Sequence, residues 1–165
     1  MAANPKDAAS PPDPISVMQL STAYWGSQIL FTAIRLDLFD FLAGGARTGS
    51  AVASHLGLDE RMTTLFLNAC VGLGLLTMDG ERFRNARTTE LFLTTGSPAS
   101  MKNSMRFMDD LYATWGNLED ALRRGEPAKP AEVYLGSDSE QTRHFVYSMH
   151  DRALAIGRAL PDVVD

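Results

Sequence analysis

The chain has 165 residues, a formal net charge of -5, and 45% hydrophobic against 21% charged residues. That is enough for one domain with a real core and is ordinary for a soluble globular protein. The acidic balance opposes non-specific nucleic-acid binding, which needs clustered cations to release phosphate counterions. The single cysteine, Cys70, excludes an internal disulfide or a thiolate metal cluster and fits a reducing cytoplasm.

Residues 1–14 carry Pro5, Pro11, Pro12 and Pro14 among Ala, Asp and Ser, the composition of a disordered or polyproline-like tail. The N-terminus lacks the basic start and apolar stretch of a secretion signal, and no apolar run approaches bilayer length. The sequence therefore reads as a soluble, cytoplasmic protein whose one domain covers residues 15–165.

From Ile15 to Leu42 the pattern predicts a helix, with Phe31, Ile34, Leu38 and Phe41 on one face. Ile29, Leu30, Leu36 and Phe39 fall off that face and are apolar too. Such a helix is covered on more than one side, by the rest of the domain or by a second copy of the chain. Gly44-Gly45 ends it.

Residues 48–85 read as helix, turn, helix and hairpin, the order of a winged helix. Thr48 caps Gly49–Leu56, and Gly57 stops it. Asp59 caps a second helix whose shared face is Met62, Leu65, Phe66, Ala69, Leu73 and Leu76. The pair Asp79-Gly80 then turns the strand Leu76-Thr-Met into Glu-Arg-Phe83-Arg.

Two more helices complete the chain. Ser97-Pro98 reads as N-cap and first helical position, and Gly125-Glu-Pro127 as a stop. Between them Met101, Met105, Met108, Tyr112, Trp115 and Leu122 form a stripe. Asp138 and Gln141 have capping-box spacing. Phe145, Met149, Arg152 and Ile156 then share a face up to Pro161. The fold class is mainly α, with one small β-hairpin.

Little in these residues is chemically self-sufficient. His55, His144 and His150 match no metal-ligand spacing. Val71-Gly-Leu-Gly74 contains a GxG, but a cofactor loop needs a buried strand before it and a helix after it. Here a helix precedes and a hairpin follows. No nucleophile–base pair or carboxylate pair stands out, so the chain offers no catalytic, metal-binding or cofactor-binding residue. A DNA-reading role would rest on Arg61, Thr64, Asn68 and Val71 of the second helix and on Arg82, Arg84 and Arg87 of the wing. One arginine beside a valine is a poor reading face, and Glu81 and Glu90 dilute the wing. The Met/Tyr/Trp stripe reads either as core, methionines filling gaps, or as the wall of a pocket for a flat ligand. Arg152, alone on its apolar stripe, either snorkels to water or makes a directed polar contact.

Taken in order, these segments resemble the N-terminal region of plant-type and bacterial S-adenosylmethionine-dependent O-methyltransferases, which methylate small phenolic and polyketide hydroxyls. The resemblance is carried by Ala33-Ile-Arg-Leu-Asp-Leu-Phe-Asp-Phe-Leu, Ser54-His-Leu-Gly-Leu and Val71-Gly-Leu-Gly-Leu-Leu. It continues through Thr88-Thr-Glu-Leu-Phe-Leu, Trp115-Gly-Asn-Leu with Gly125-Glu-Pro127, and Phe145-Val-Tyr-Ser-Met149. It implies an intertwined homodimer formed by the N-terminal helices, and one wall of the methyl-acceptor pocket. Position by position, Met149 and Phe145 correspond to pocket-lining residues, and Arg152 falls where plant members place a histidine. Trp115 corresponds to a family tryptophan at wall or core, with Met108 and Tyr112 on its stripe. The S-adenosylmethionine loop and the general base of the family belong to a later domain. The resemblance thus implies a methyltransferase parent in secondary metabolism and no catalysis by these 165 residues alone. A winged-helix transcription regulator and a free-standing ligand-binding dimer are the competing expectations.

Overall fold

The structure, a computed structural model, describes residues 13–159. The tail up to residue 12 and the predicted stop at Pro161 lie outside the described residues, as does the side chain of Ile156.

The first predicted helix is three helices: α1 (Pro14–Thr22), α2 (Tyr24–Arg35) and α3 (Leu38–Ala43). Asp13 starts α1 by accepting the Ile15 N–H at 2.9 Å, with proline at the first position. The α1–α2 boundary is slight, because Ala23 keeps helical dihedrals. The second break is sharp. Asp37 takes a left-handed conformation with φ of 50°, strained for a residue with a Cβ, and it re-aims α3. This turn brings both apolar faces into use, burying Phe31, Ala33 and Ile34 from α2 and Leu38, Phe39 and Leu42 from α3.

The middle unit follows its capping signals. The two-residue strand β1 (Arg47–Thr48), absent from the sequence reading, leads into α4 (Gly49–Leu56). Thr48 Oγ1 accepts the Ala51 N–H and Gly57 closes the helix at φ 66°. At its start a Cβ on Gly49 would lie 2.7 Å from Thr64 Oγ1, so only glycine fits without a shift. Helix α5 (Glu60–Gly72) is capped by Asp59 at 2.8 Å. Its buried face is Thr63, Leu67 and Cys70; of the predicted face Leu76 is buried and Phe66 packs against the core, while Met62, Leu65 and Leu73 face solvent. Val71-Gly-Leu-Gly74 carries the chain off α5 into the hairpin. Strands β2 (Leu76–Asp79) and β3 (Arg82–Asn85) pair antiparallel with Asp79 opposite Arg82. The turn is therefore Gly80-Glu81, one residue beyond the predicted pair, with Gly80 at φ 56°. β1 pairs with the other edge of β3, giving the order β1-β3-β2. Val52, Leu67, Cys70, Leu76 and Phe83 close on α2 and α3 to complete one core.

A further helix, α6 (Arg87–Leu93), follows the hairpin and buries Thr89. Then α7 (Lys102–Gly116) begins at Lys102 rather than at Pro98. It stops at Asn117, whose side-chain amide donates to the Ala113 carbonyl. The predicted stripe is consequently split, with Leu122 on the separate helix α8 (Leu118–Arg124). A 3₁₀ turn at Ala131–Tyr134 leads to α9 (Ser139–Ala159). Asp138 accepts the Glu140 and Gln141 N–H groups, but the Gln141 side chain turns to Lys129, so the capping box is only half made. Helix α9 packs along α7, and α2 lies against α7.

Candidate functional site

Two surfaces depart from what a self-contained monomer needs. The first is apolar. Helix α1 has no buried side chain, although Ile15, Val17, Met18 and Leu20 are on it. Tyr24 and Trp25 continue the exposed surface into α2, Trp25 at 58% exposure, their rings edge to face at 6.3 Å. Leu73, also exposed, reaches α2 beside Gly26. Monomeric proteins rarely leave so much contiguous apolar surface in water without using it.

The second surface is the α7–α9 pair, which carries all six residues expected to line a pocket. Phe145 is half-buried and packs on Phe107 and Tyr134, with ring centroids 5.5 and 5.8 Å away. Tyr112 meets Phe31 of α2 edge to face at 6.5 Å. Met108 and Arg152 are brought together across the helix pair, Nη2 lying 3.9 Å from Sδ. Arg152 is exposed, so its guanidinium reaches back along the surface instead of entering the core. Met149, at 36% exposure, and Trp115, at 68%, are not gathered into this cluster. Among the described residues the six therefore form a strip along the α7–α9 pair. Phe107 and Tyr134, which the sequence reading did not single out, are the aromatic anchors of the strip. Burial, and then the charge of Asp110, raise the Tyr134 hydroxyl pKa above its ordinary value.

Polar contacts lock this pair to the rest of the domain. The Met101 side chain makes no capping bond at the start of α7. Asp151 of α9 replaces it, its Oδ2 accepting the Ser104 N–H at 3.1 Å, while Ser104 Oγ donates to the Ser148 carbonyl. Lys102, in the first turn of α7, has a side chain only 6% exposed and is bonded to Asp37 at 2.5 Å and to Asp40. A cation is unfavourable at a helix N-terminus, and that sequence anomaly was the available signal of its carboxylate partners. Burial pushes the Asp40 pKa up, but bonds from Lys102 and from the Thr95 N–H and hydroxyl outweigh it and leave the group below its ordinary value.

A mainly helical pairing domain, with an unpartnered apolar helix at one end and an aromatic helix pair at the other, is the class these features define. Residues 18–95 match the family model of the O-methyltransferase dimerisation domain, and the chain belongs to that family. It is 32% identical over 157 residues to the tetracenomycin polyketide synthesis 8-O-methyl transferase TcmO of Streptomyces glaucescens, covering 92% of this chain and 46% of TcmO. The N,N-dimethyltransferase OxyT of Streptomyces rimosus is 35% identical over 120 residues, covering 72% of this chain and 35% of OxyT. Among solved structures, an O-methyltransferase family protein from Burkholderia thailandensis superposes with a TM-score of 0.81 at 27% identity, over 94% of this chain and 47% of that one. Human N-acetylserotonin methyltransferase in complex with SAM gives 0.75 at 28%, over 92% and 49%. The chain thus spans about half the length of TcmO and less of OxyT.

Proposed function

We propose that this chain is the dimerising and acceptor-binding part of an S-adenosylmethionine-dependent O-methyltransferase acting on a small phenolic or polyketide-like hydroxyl, as a homodimer. The observation that carries the reading is α1, a helix with apolar side chains and none of them buried. Its Met18 and Leu20, with Tyr24 and Trp25, fall within the residues matched to the dimerisation domain. A second copy seated there would remove this surface from water, at a gain of about 25 cal/mol per Å².

In this reading the unit from β1 to β3 is a winged helix used as scaffold, and Met108, Tyr112, Trp115, Phe145, Met149 and Arg152 form one wall of the acceptor site. Thioether and aromatic surfaces suit a flat ring. The wall holds the acceptor in place and excludes water. The described residues present no strand–glycine loop–helix cradle for S-adenosylmethionine, since Gly72 and Gly74 lead into a hairpin. Cofactor and general base are therefore assigned to other parts of the intact enzyme, and this chain alone to binding without catalysis. The polyketide-synthesis relative TcmO supports a setting in secondary metabolism, the reading places the enzyme in the cytoplasm, and no described helix is long and apolar enough to cross a membrane.

Sedimentation of the 165-residue chain tests the pairing. The expected mass is twice 18.0 kDa, reduced to the monomer by Trp25→Asp. A monomer at all concentrations, or a variant that still pairs, would refute the assignment of the face. For the wall, a phenolic ligand should bind saturably, with Met149→Ala weakening it about tenfold. Unchanged binding by that variant removes Met149 from the wall.

A further inference from the structure

On the flank of α9 away from the aromatic strip, α7, α9 and the end of α2 enclose a polar cleft of about 490 Å³. At its side His144 Nδ1 lies 2.6 Å from Asp110 Oδ2, both side chains about one-fifth exposed. A carboxylate at Nδ1 keeps a proton there, so Nε2 is an acceptor in the neutral ring and a donor in the cation. Nε2 makes no hydrogen bond among the described residues. Arg143 stacks over the Tyr147 ring at 5.6 Å and has no ion pair among the described residues. Among the described residues the ion-pair partner of Arg106 is Asp37, at 3.3 Å. By contrast Arg35 is committed, with Nη1 on both oxygens of Asp109. The cleft thus carries two under-used guanidiniums beside a histidine whose orientation is fixed by a carboxylate.

We propose that this cleft binds a phosphate group, held by Arg106, Arg143 and Nε2 of His144. Guanidiniums match phosphate oxygens geometrically and through charge. A phosphate near neutral pH also keeps some P–OH, which donates to the neutral Nε2; once the ring is protonated, Nε2 donates to P–O⁻ instead. Few anions satisfy both states of the ring. Glu140 also lines the cleft without a cationic partner among the described residues, and its charge lowers the affinity. The proposal does not depend on the acceptor wall, which lies on the other flank of α9.

The test is titration of the 165-residue chain with inorganic phosphate, followed by ¹H–¹⁵N spectra and calorimetry, with sodium chloride matching the ionic strength. Saturable shifts are expected around Arg143 and His144. Arg143→Ala, an exposed position that does not endanger the fold, should weaken binding about tenfold, the loss of one charge-assisted contact. Glu140→Gln should tighten it severalfold. At about pH 7.5 sulfate, which carries no proton to donate, should bind more weakly than phosphate. Phenyl phosphate separates the sources, since tighter binding than phosphate marks a phosphorylated small molecule and equal binding marks the free ion. Shifts that match those of chloride, or equal affinity in Arg143→Ala and the parent chain, overturn the proposal.

Discussion

Replacing Asp151 by alanine tests whether α7 is started from another helix. Ser104 is 2% exposed and its N–H has Asp151 as its partner. Alanine leaves that donor buried and unpaired, at a cost of about 1–3 kcal/mol. It also removes a negative charge from a helix N-terminus, worth about 0.3–1 kcal/mol more. The expected loss is about 2–3 kcal/mol, or a fall in Tm of about 5–10 °C at this size. Asp151→Asn keeps an acceptor oxygen and gives up only the charge, so it should lose about 1 kcal/mol. Urea and thermal unfolding of the three proteins, with Ser104 N–H exchange as a local readout, measures both steps. An alanine variant within 0.5 kcal/mol of the parent refutes the capping role, and an asparagine variant as unstable as alanine refutes the division between acceptor and charge.

Two further expectations concern titration. Burial holds the Cys70 thiol up at about 12, so at about pH 8 it should react with iodoacetamide no faster than the chain unfolds, and prompt labelling of native protein would contradict its place in the core. Asp40 is held below its ordinary value, so its contribution to stability is fully present above the unfolded carboxylate pKa, about 3.9, and is lost as pH falls through the lower folded one. Asp40→Asn should therefore flatten the acid side of the stability profile below about pH 4 in urea titrations, and an unchanged acid slope would count against the Lys102–Asp40 bond.

Local chemistry was the legible part of this fold. Thr48, Asp59 and Asp138 cap as their spacing requires, because a side-chain oxygen two or three residues from an N–H needs no tertiary help. What escaped the sequence is set from far away. Asp37 breaks the first long helix while its carboxylate is held by Lys102, 65 residues on. Helix α7 starts at Lys102 because Asp151 waits there, so the local signal of Ser97-Pro98 lost to a tertiary cap. The α5 face was misjudged because Met62, Leu65 and Leu73 are apolar yet outward, and periodicity cannot tell a core from a docking surface. On α7 and α9 the rings that meet Phe145 are Phe107 and Tyr134, contacts between separate segments that the spacing within one helix does not reveal.

The bare helix α1 carries a thermodynamic corollary. Its nine residues run into α2 with only a slight break at Ala23, but no side chain there is buried in its own core. In the proposed dimer the cover over this segment comes from a second copy, so that part of its order is bimolecular while that of the Leu67 core is unimolecular. Dilution would then act on the two ends of one chain differently, melting the first helix while the core keeps its fold. The segment becomes a concentration gauge, its amide protection counting assembled molecules and that of α5 counting folded ones.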